Sequence, residues 1–169
     1  MSNETQTTKI DPYKIFLRDF DGKPGYSAGL TQYNSNFSRD ALISGILGSS
    51  TEMLISQLKL CASLQGQQFN VLTGEMPGKI HHQYPAVEVN KGMFSLYNAC
   101  DTTSLFLIAF EALMNIDPDI ASSLIAFLLP NIKDAIDHIL AMVNGNDVFT
   151  ETPPPGSMHF ALKLSLIHI

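Results

Sequence analysis

Tyr97-Asn98-Ala99-Cys100-Asp101-Thr102-Thr103-Ser104-Leu105-Phe106-Leu107-Ile108-Ala109-Phe110 joins a polar approach, a capping residue and an apolar helix in one run. Asp101 or Thr102 caps the helix, and Leu105, Phe106, Ile108, Ala109, Ala112 and Leu113 make much of its circumference apolar, so burial is predicted. A helix mouth exposes unpaired N–H groups and the positive end of the dipole, which favour a carboxylate or a polar ligand. Two further clusters are read as sitting at such mouths: Ser38-Arg39-Asp40 and Pro77-Gly78-Lys79-Ile80-His81-His82. Three mouths flanked by charged and aromatic residues read as the rim of a helical barrel that grips sugar hydroxyls. The competing reading makes Asp40 and Asp101 ordinary helix caps.

Outward from this run, helices dominate and pair. One is predicted from Ser38 to Leu47, stopped by Gly48, and another from Ser50 or Thr51 to a point before Gly66, with Met53, Leu54, Leu58 and Cys61 on one face. Residues 11–37 are irregular with room for a strand or two, and residues 66–97 form a loop too long to be a simple connection. Asp117-Pro118 starts a helix that stops near Pro130, and a fifth helix is predicted from about Asn131 to Val143, closed by Gly145. Thr152-Pro153-Pro154-Pro155-Gly156 reads as a rigid loop. The fold expected is all-α, built from helical hairpins. The absence of a repeat with fixed period argues against a regular solenoid.

The 169 residues suffice for one core, with 45% hydrophobic and 15% charged content. A net charge of −6, with 10 basic residues that form no patch, argues against a nucleic-acid partner. The polar start, Met1 to Thr8, lacks the apolar core of a secretory signal, and no run spans a bilayer. Cys61 and Cys100 have no paired spacing and suit a reducing compartment. A cytoplasmic protein without a membrane partner is expected.

Among the chemistry-bearing residues Asp101 weighs most: a carboxyl over an apolar wall holds its proton, which suits a general acid. Arg39 and Asp40 at a helix start can clamp a diol, Asp accepting from two hydroxyls and Arg donating to a third oxygen; the alternative is a local salt bridge plus cap. His81 and His82 are adjacent, so their rings point apart, and no carboxylate has ligand spacing to them. Hydrogen bonding to a polar ligand suits them better than metal, and no metal or cofactor is expected.

Tyr33–Asp40 (Tyr-Asn-Ser-Asn-Phe-Ser-Arg-Asp), Gly66-Gln67-Gln68-Phe69-Asn70, Glu75-Met76-Pro77-Gly78-Lys79-Ile80-His81-His82 and Tyr97 to Phe106, in this order and spacing, resemble the amylo-α-1,6-glucosidase group, the glucosidase part of glycogen-debranching enzymes and their bacterial relatives. The resemblance covers roughly residues 33 to 113. It implies an incomplete (α/α)6 toroid, an inverting mechanism and two catalytic carboxyl groups. It further implies that Asp101, in the Tyr97-Asn98-x-x-Asp101 motif, is the general acid. By the same resemblance Arg39 and Asp40 hold the sugar where the bond breaks, and Gly78, Lys79 and His82 line that pocket. Gln83 stands where these relatives usually carry a Glu, so a charge is missing there.

The domain organisation expected is a lead-in segment at 1–32, the N-terminal part of the catalytic domain at 33–164, and a non-native tail at 165–169, whose Ser165-Leu166-Ile167-His168-Ile169 resembles translated adapter sequence. The general base is expected on a later helix pair beyond this chain. Glu151 could line the pocket without being that base. The remaining C-terminal half of the domain is thus an expected partner, and the fragment alone is expected to be inactive. The substrate implied is an oligosaccharide or small α-glucoside. The alternatives are a related toroid glycosidase acting on another small glycoside, and a non-catalytic helical sugar-binding or interaction module.

Overall fold

The computed structural model describes residues 12–86 and 95–143. Glu151, the proline-rich loop and the 165–169 tail lie outside the described residues. A 3₁₀ turn, Pro12–Phe16, leads into a hairpin of β1 (Leu17–Asp19) and β2 (Pro24–Tyr26), paired antiparallel with Arg18 opposite Gly25. Its turn puts Asp21 (φ 54°) and Gly22 (φ 76°) in the left-handed region, and Gly22 N–H donates to Asp19 Oδ1 at 2.7 Å. Gly25 lets the hairpin lie flat on the second helix: a Cβ there would sit 2.4 Å from Leu60 Cδ2.

The helices follow. α1 (Ser38–Leu47) and α2 (Thr51–Ser63) form a tight hairpin through Gly48 and Ser49, and Ser50 caps α2 by accepting from Met53 N–H. α3 (Thr102–Ile116) turns directly into α4 (Pro118–Met142), where Asp117 accepts from Ile120 N–H and Pro118 occupies the first helical position. Between the two hairpins, β3 (Asn36–Phe37) pairs antiparallel with β4 (Gln83–Tyr84), and Gln83 bridges onward to Leu96. One core gathers side chains from all four helices, among them Leu42, Leu54, Leu58, Phe106, Phe110, Leu113, Leu124 and Leu128, closed by Ile80 from the long connection.

This arrangement corrects the all-α expectation and with it the incomplete (α/α)6 toroid. The described residues form a small mixed fold of four α-helices and two two-stranded antiparallel sheets. The reason is physical: α1, α2, α3 and α4 converge on a single core rather than lining up as successive hairpins of a ring, and the chain before α1 is spent on a hairpin that packs against α2.

A second correction concerns Pro130, which lies inside α4 instead of ending a helix. The buried positions Leu124, Leu128 and Ala135 keep helical spacing across it, so packing holds the helix together where the missing N–H weakens it. Asn131 does not start a new helix. Its side-chain amide donates to Ala62 O at 3.0 Å and to Gln65 Oε1 at 2.7 Å, tying α4 to the end of α2. No helix among the described residues is long and apolar enough to cross a membrane.

Candidate functional site

The segment Ile80–His82 threads between the N-termini of α1 and α3 and is held from both sides by buried hydroxyls. From α1, Ser38 N–H donates to His82 O at 3.0 Å, and Ser38 Oγ donates to His81 O. From α3, Thr102 Oγ1 donates to Ile80 O at 3.0 Å, while Thr103 Oγ1 accepts from Ile80 N–H at 3.1 Å. Ser38, Thr102 and Thr103 are nearly inaccessible to solvent, so each bond replaces one with water and leaves no orphaned group. Two helix mouths are thereby docked on one strip of backbone.

That docking brings together residues that the chain keeps far apart. Arg39 Nη2 donates to Asp101 Oδ1 at 2.7 Å; the arginine side chain is 15% exposed and the aspartate 43%. The charges of Arg39, Asp40, Asp101 and Lys79 all act on the His82 ring, and Lys79 itself is buried. Burial, then Arg39, lower the His82 pKa; Asp40 and Asp101 oppose them, and Lys79 adds to them. An aromatic row completes the rim: Phe37 meets His82 edge-on at 5.5 Å between ring centres, and Tyr33 meets Phe37 at 6.3 Å. Arg39 Nε, His82 Nδ1 and Asn98 Oδ1 are buried polar atoms with no hydrogen-bond partner among the described residues. Such atoms are costly unless something polar meets them.

Asp101 occupies the capping position of α3, yet its side chain makes no capping bond to the helix. Its carboxylate reaches for Arg39 instead. The carboxyl is half-exposed and faces a guanidinium.

The other sequence-derived residues divide between the rim and its scaffold. His81 is fully buried, with Nε2 donating to Asn36 Oδ1 at 3.0 Å; Asn36 and Gln57 exchange hydrogen bonds, and Gln57 reaches Cys61 Sγ. Burial, with a smaller push from His82, drives its pKa down to about 3. Tyr97 is buried and its hydroxyl donates to Leu64 O at 2.6 Å; burial and then the Glu75 charge push the phenol up to about 12. Gly78, at φ +79°, crosses α4 so closely that a Cβ would lie 2.1 Å from Asp134 O. It borders a hollow of about 380 Å³ lined by Phe69, Asp134, Asp137 and His138, to which no other sequence-derived site residue contributes.

Sequence reasoning did not single out the hydroxyl clamp or the Tyr33–Phe37 pair. Ser38, Thr102 and Thr103 look like helix-start residues, and their position gives that signal; that they bond across to another segment rather than along their own helix is a tertiary fact. Among the described residues, no group of three or more His, Cys, Asp or Glu side chains is placed to hold a metal ion. No protein-family model matches the chain, and comparison with curated proteins gives no significant match.

Proposed function

We propose that the rim around Arg39 and Asp101 binds an α-glucoside in the cytoplasm and serves its hydrolysis, with Asp101 as the general acid. The observation that carries this reading is the Arg39–Asp101 pair set across two helix mouths beside the Tyr33–Phe37–His82 aromatic row. Planar aromatic faces meet the C–H face of a pyranose, while a carboxylate and a guanidinium satisfy its hydroxyls as acceptor and donor. The order of the motifs around Asp101, similar to the amylo-α-1,6-glucosidase group, supports the same substrate class. The two unpaired thiols, Cys61 and Cys100, agree with a reducing compartment.

In this reaction Asp101 gives its proton to the glycosidic oxygen as the bond to the anomeric carbon breaks. Arg39 then stabilises the carboxylate that remains. Water adds to the anomeric carbon from the opposite face and yields its proton to a second carboxylate, which inverting enzymes place about 6.5–9.5 Å from the acid. Asp40 and Arg39 hold the sugar hydroxyls, and His82, neutral by burial, hydrogen-bonds among them.

A second reading, a sugar-binding module without turnover, is favoured by one feature: Asp101 is already engaged by Arg39. Assay of the protein on α-1,6- and α-1,4-linked glucosides, with and without Asp101→Asn, separates the two. Turnover that vanishes in a folded Asp101→Asn protein while sugar binding persists supports the acid. Binding without turnover in the parent protein supports the module, and turnover unchanged by Asp101→Asn overturns the proposed mechanism.

A further inference from the structure

Next to the rim, a hollow of about 220 Å³ opens between the 3₁₀ turn, the residues after β2, α1 and Met53 of α2. Tyr13 and Phe16 form one wall. In a 3₁₀ helix residues three apart eclipse, so these two rings stand on the same side of the turn. Asp40 and Ser44, one turn apart on α1, line the hollow as well. Ala28 and Ala41 keep the space open because their side chains are short.

Neither the Asp40 carboxylate nor the Ser44 hydroxyl makes a hydrogen bond or ion pair among the described residues. Two aromatic rings lining the same hollow as a carboxylate and a hydroxyl without partners match the two characters of a pyranose, an apolar C–H face and a rim of hydroxyls. The volume falls below the roughly 300–1,000 Å³ of pockets for larger ligands, which suits a single ring. The hollow is also tied to the rim through Asp40: it follows Arg39 in the chain, and its charge reaches the His82 ring.

The geometry points to a second sugar subsite in this hollow, so that the ligand is an α-linked oligosaccharide spanning both places rather than one glucosyl group with a small aglycone. The inference rests on the reading of the Arg39–Asp101 rim as the first subsite. Tyr13 and Phe16, which pack against Tyr26, Ala41 and Met53, thereby gain a second role. Asp40 becomes the shared wall, accepting from hydroxyls of both rings.

The test is calorimetric titration of the protein, carrying Asp101→Asn to prevent turnover, with glucose, maltose and isomaltose. Ser44→Phe fills the hollow and Tyr13→Ala removes a wall; thermal melts confirm that both variants fold. At least one disaccharide is expected to bind about tenfold tighter than glucose, a difference of about 1.4 kcal/mol. Both variants are expected to erase that preference and leave glucose affinity unchanged. A preference that survives both variants, or no preference in the parent, overturns the subsite. Failure of the reaction is read separately: a protein with Asp101 intact that keeps the preference but hydrolyses nothing loses the proposed activity and retains the subsite. Absence of any sugar binding overturns both.

Discussion

Arg39 Nη2 and Asp101 Oδ1 stand 2.7 Å apart, joining the first turn of α1 to the residue that precedes α3 across 62 positions of chain. A pair this exposed on its acidic side adds little to stability, because water screens it and two side chains lose freedom. A double-mutant cycle with Arg39→Gln and Asp101→Asn is expected to give a stability coupling of about 0–1 kcal/mol by urea unfolding. Turnover, by contrast, is expected to fall about 100-fold or more in Asp101→Asn. A large coupling with unaffected turnover would make the pair a strut and nothing else.

Gly78→Ala is expected to destabilise the protein by about 2 kcal/mol or more, since it adds a left-handed backbone penalty to a backbone clash. The residue sits at φ +79°, and the new Cβ would meet Asp134 O at 2.1 Å. Gly22→Ala is the control: φ is +76°, yet nothing lies within 4 Å of a Cβ there. Its cost is the backbone share alone, about 1–2 kcal/mol. Equal urea midpoints for the two variants would refute the close approach of Gly78 to α4.

The buried histidines make stability depend on pH with a definite sign. Folded His81 stays neutral down to about 3, whereas the unfolded chain takes up its proton near the ordinary value of 6.5. The unfolded state therefore binds more protons throughout that interval. Stability is full above the unfolded value and declines as pH falls below it, by about 1.4 kcal/mol per pH unit for one such group. His82, lowered as well, acts in the same direction. Urea midpoints between about pH 6.5 and 5, above the carboxylate range, isolate the effect. His81→Asn is expected to flatten the slope, and an unchanged slope would mean that the ring titrates normally.

The two thiols should behave differently toward a disulfide reagent. Cys61 is inaccessible, and burial pushes its thiol up to about 12 against a weaker opposing bond from Gln57. Cys100 is exposed. Because the thiolate is the reacting species, one equivalent is expected to react quickly in the folded protein and a second only on unfolding. Two fast equivalents would show that the Asn36–Gln57–Cys61 network opens readily.

Features specified by neighbouring residues were legible in the sequence. Ser50-Thr51 and Asp117-Pro118 mark helix starts through local capping chemistry, and Ser38 marks one by residue type alone, its hydroxyl bonding across to His81 O; the structure begins its helices at these places. Features specified by distant partners were not. Pro130 reads as a stop because its own backbone chemistry says so; only the core partners of Leu128 and Ala135 explain why α4 runs on. The two-residue strands β3 and β4 carry no periodic signal of their own and exist because each finds the other. At the site, Arg39, Asp40, His82 and Asp101 were identifiable as residue types at helix mouths. Their convergence follows from bonds that Ser38, Thr102 and Thr103 make to backbone far along the chain.

Those bonds fix a length rather than a chemistry. They grip Ile80–His82 by its carbonyls and one N–H, which any residue would offer, so what is protected is the number of links between Gly78 and Gln83. At the exposed tip, Val71 and Leu72, the loop can gain or lose a position with little effect on the rim. One residue inserted between Gly78 and Gln83 would shift each carbonyl past its hydroxyl, and the two halves of the site would lose their common ruler.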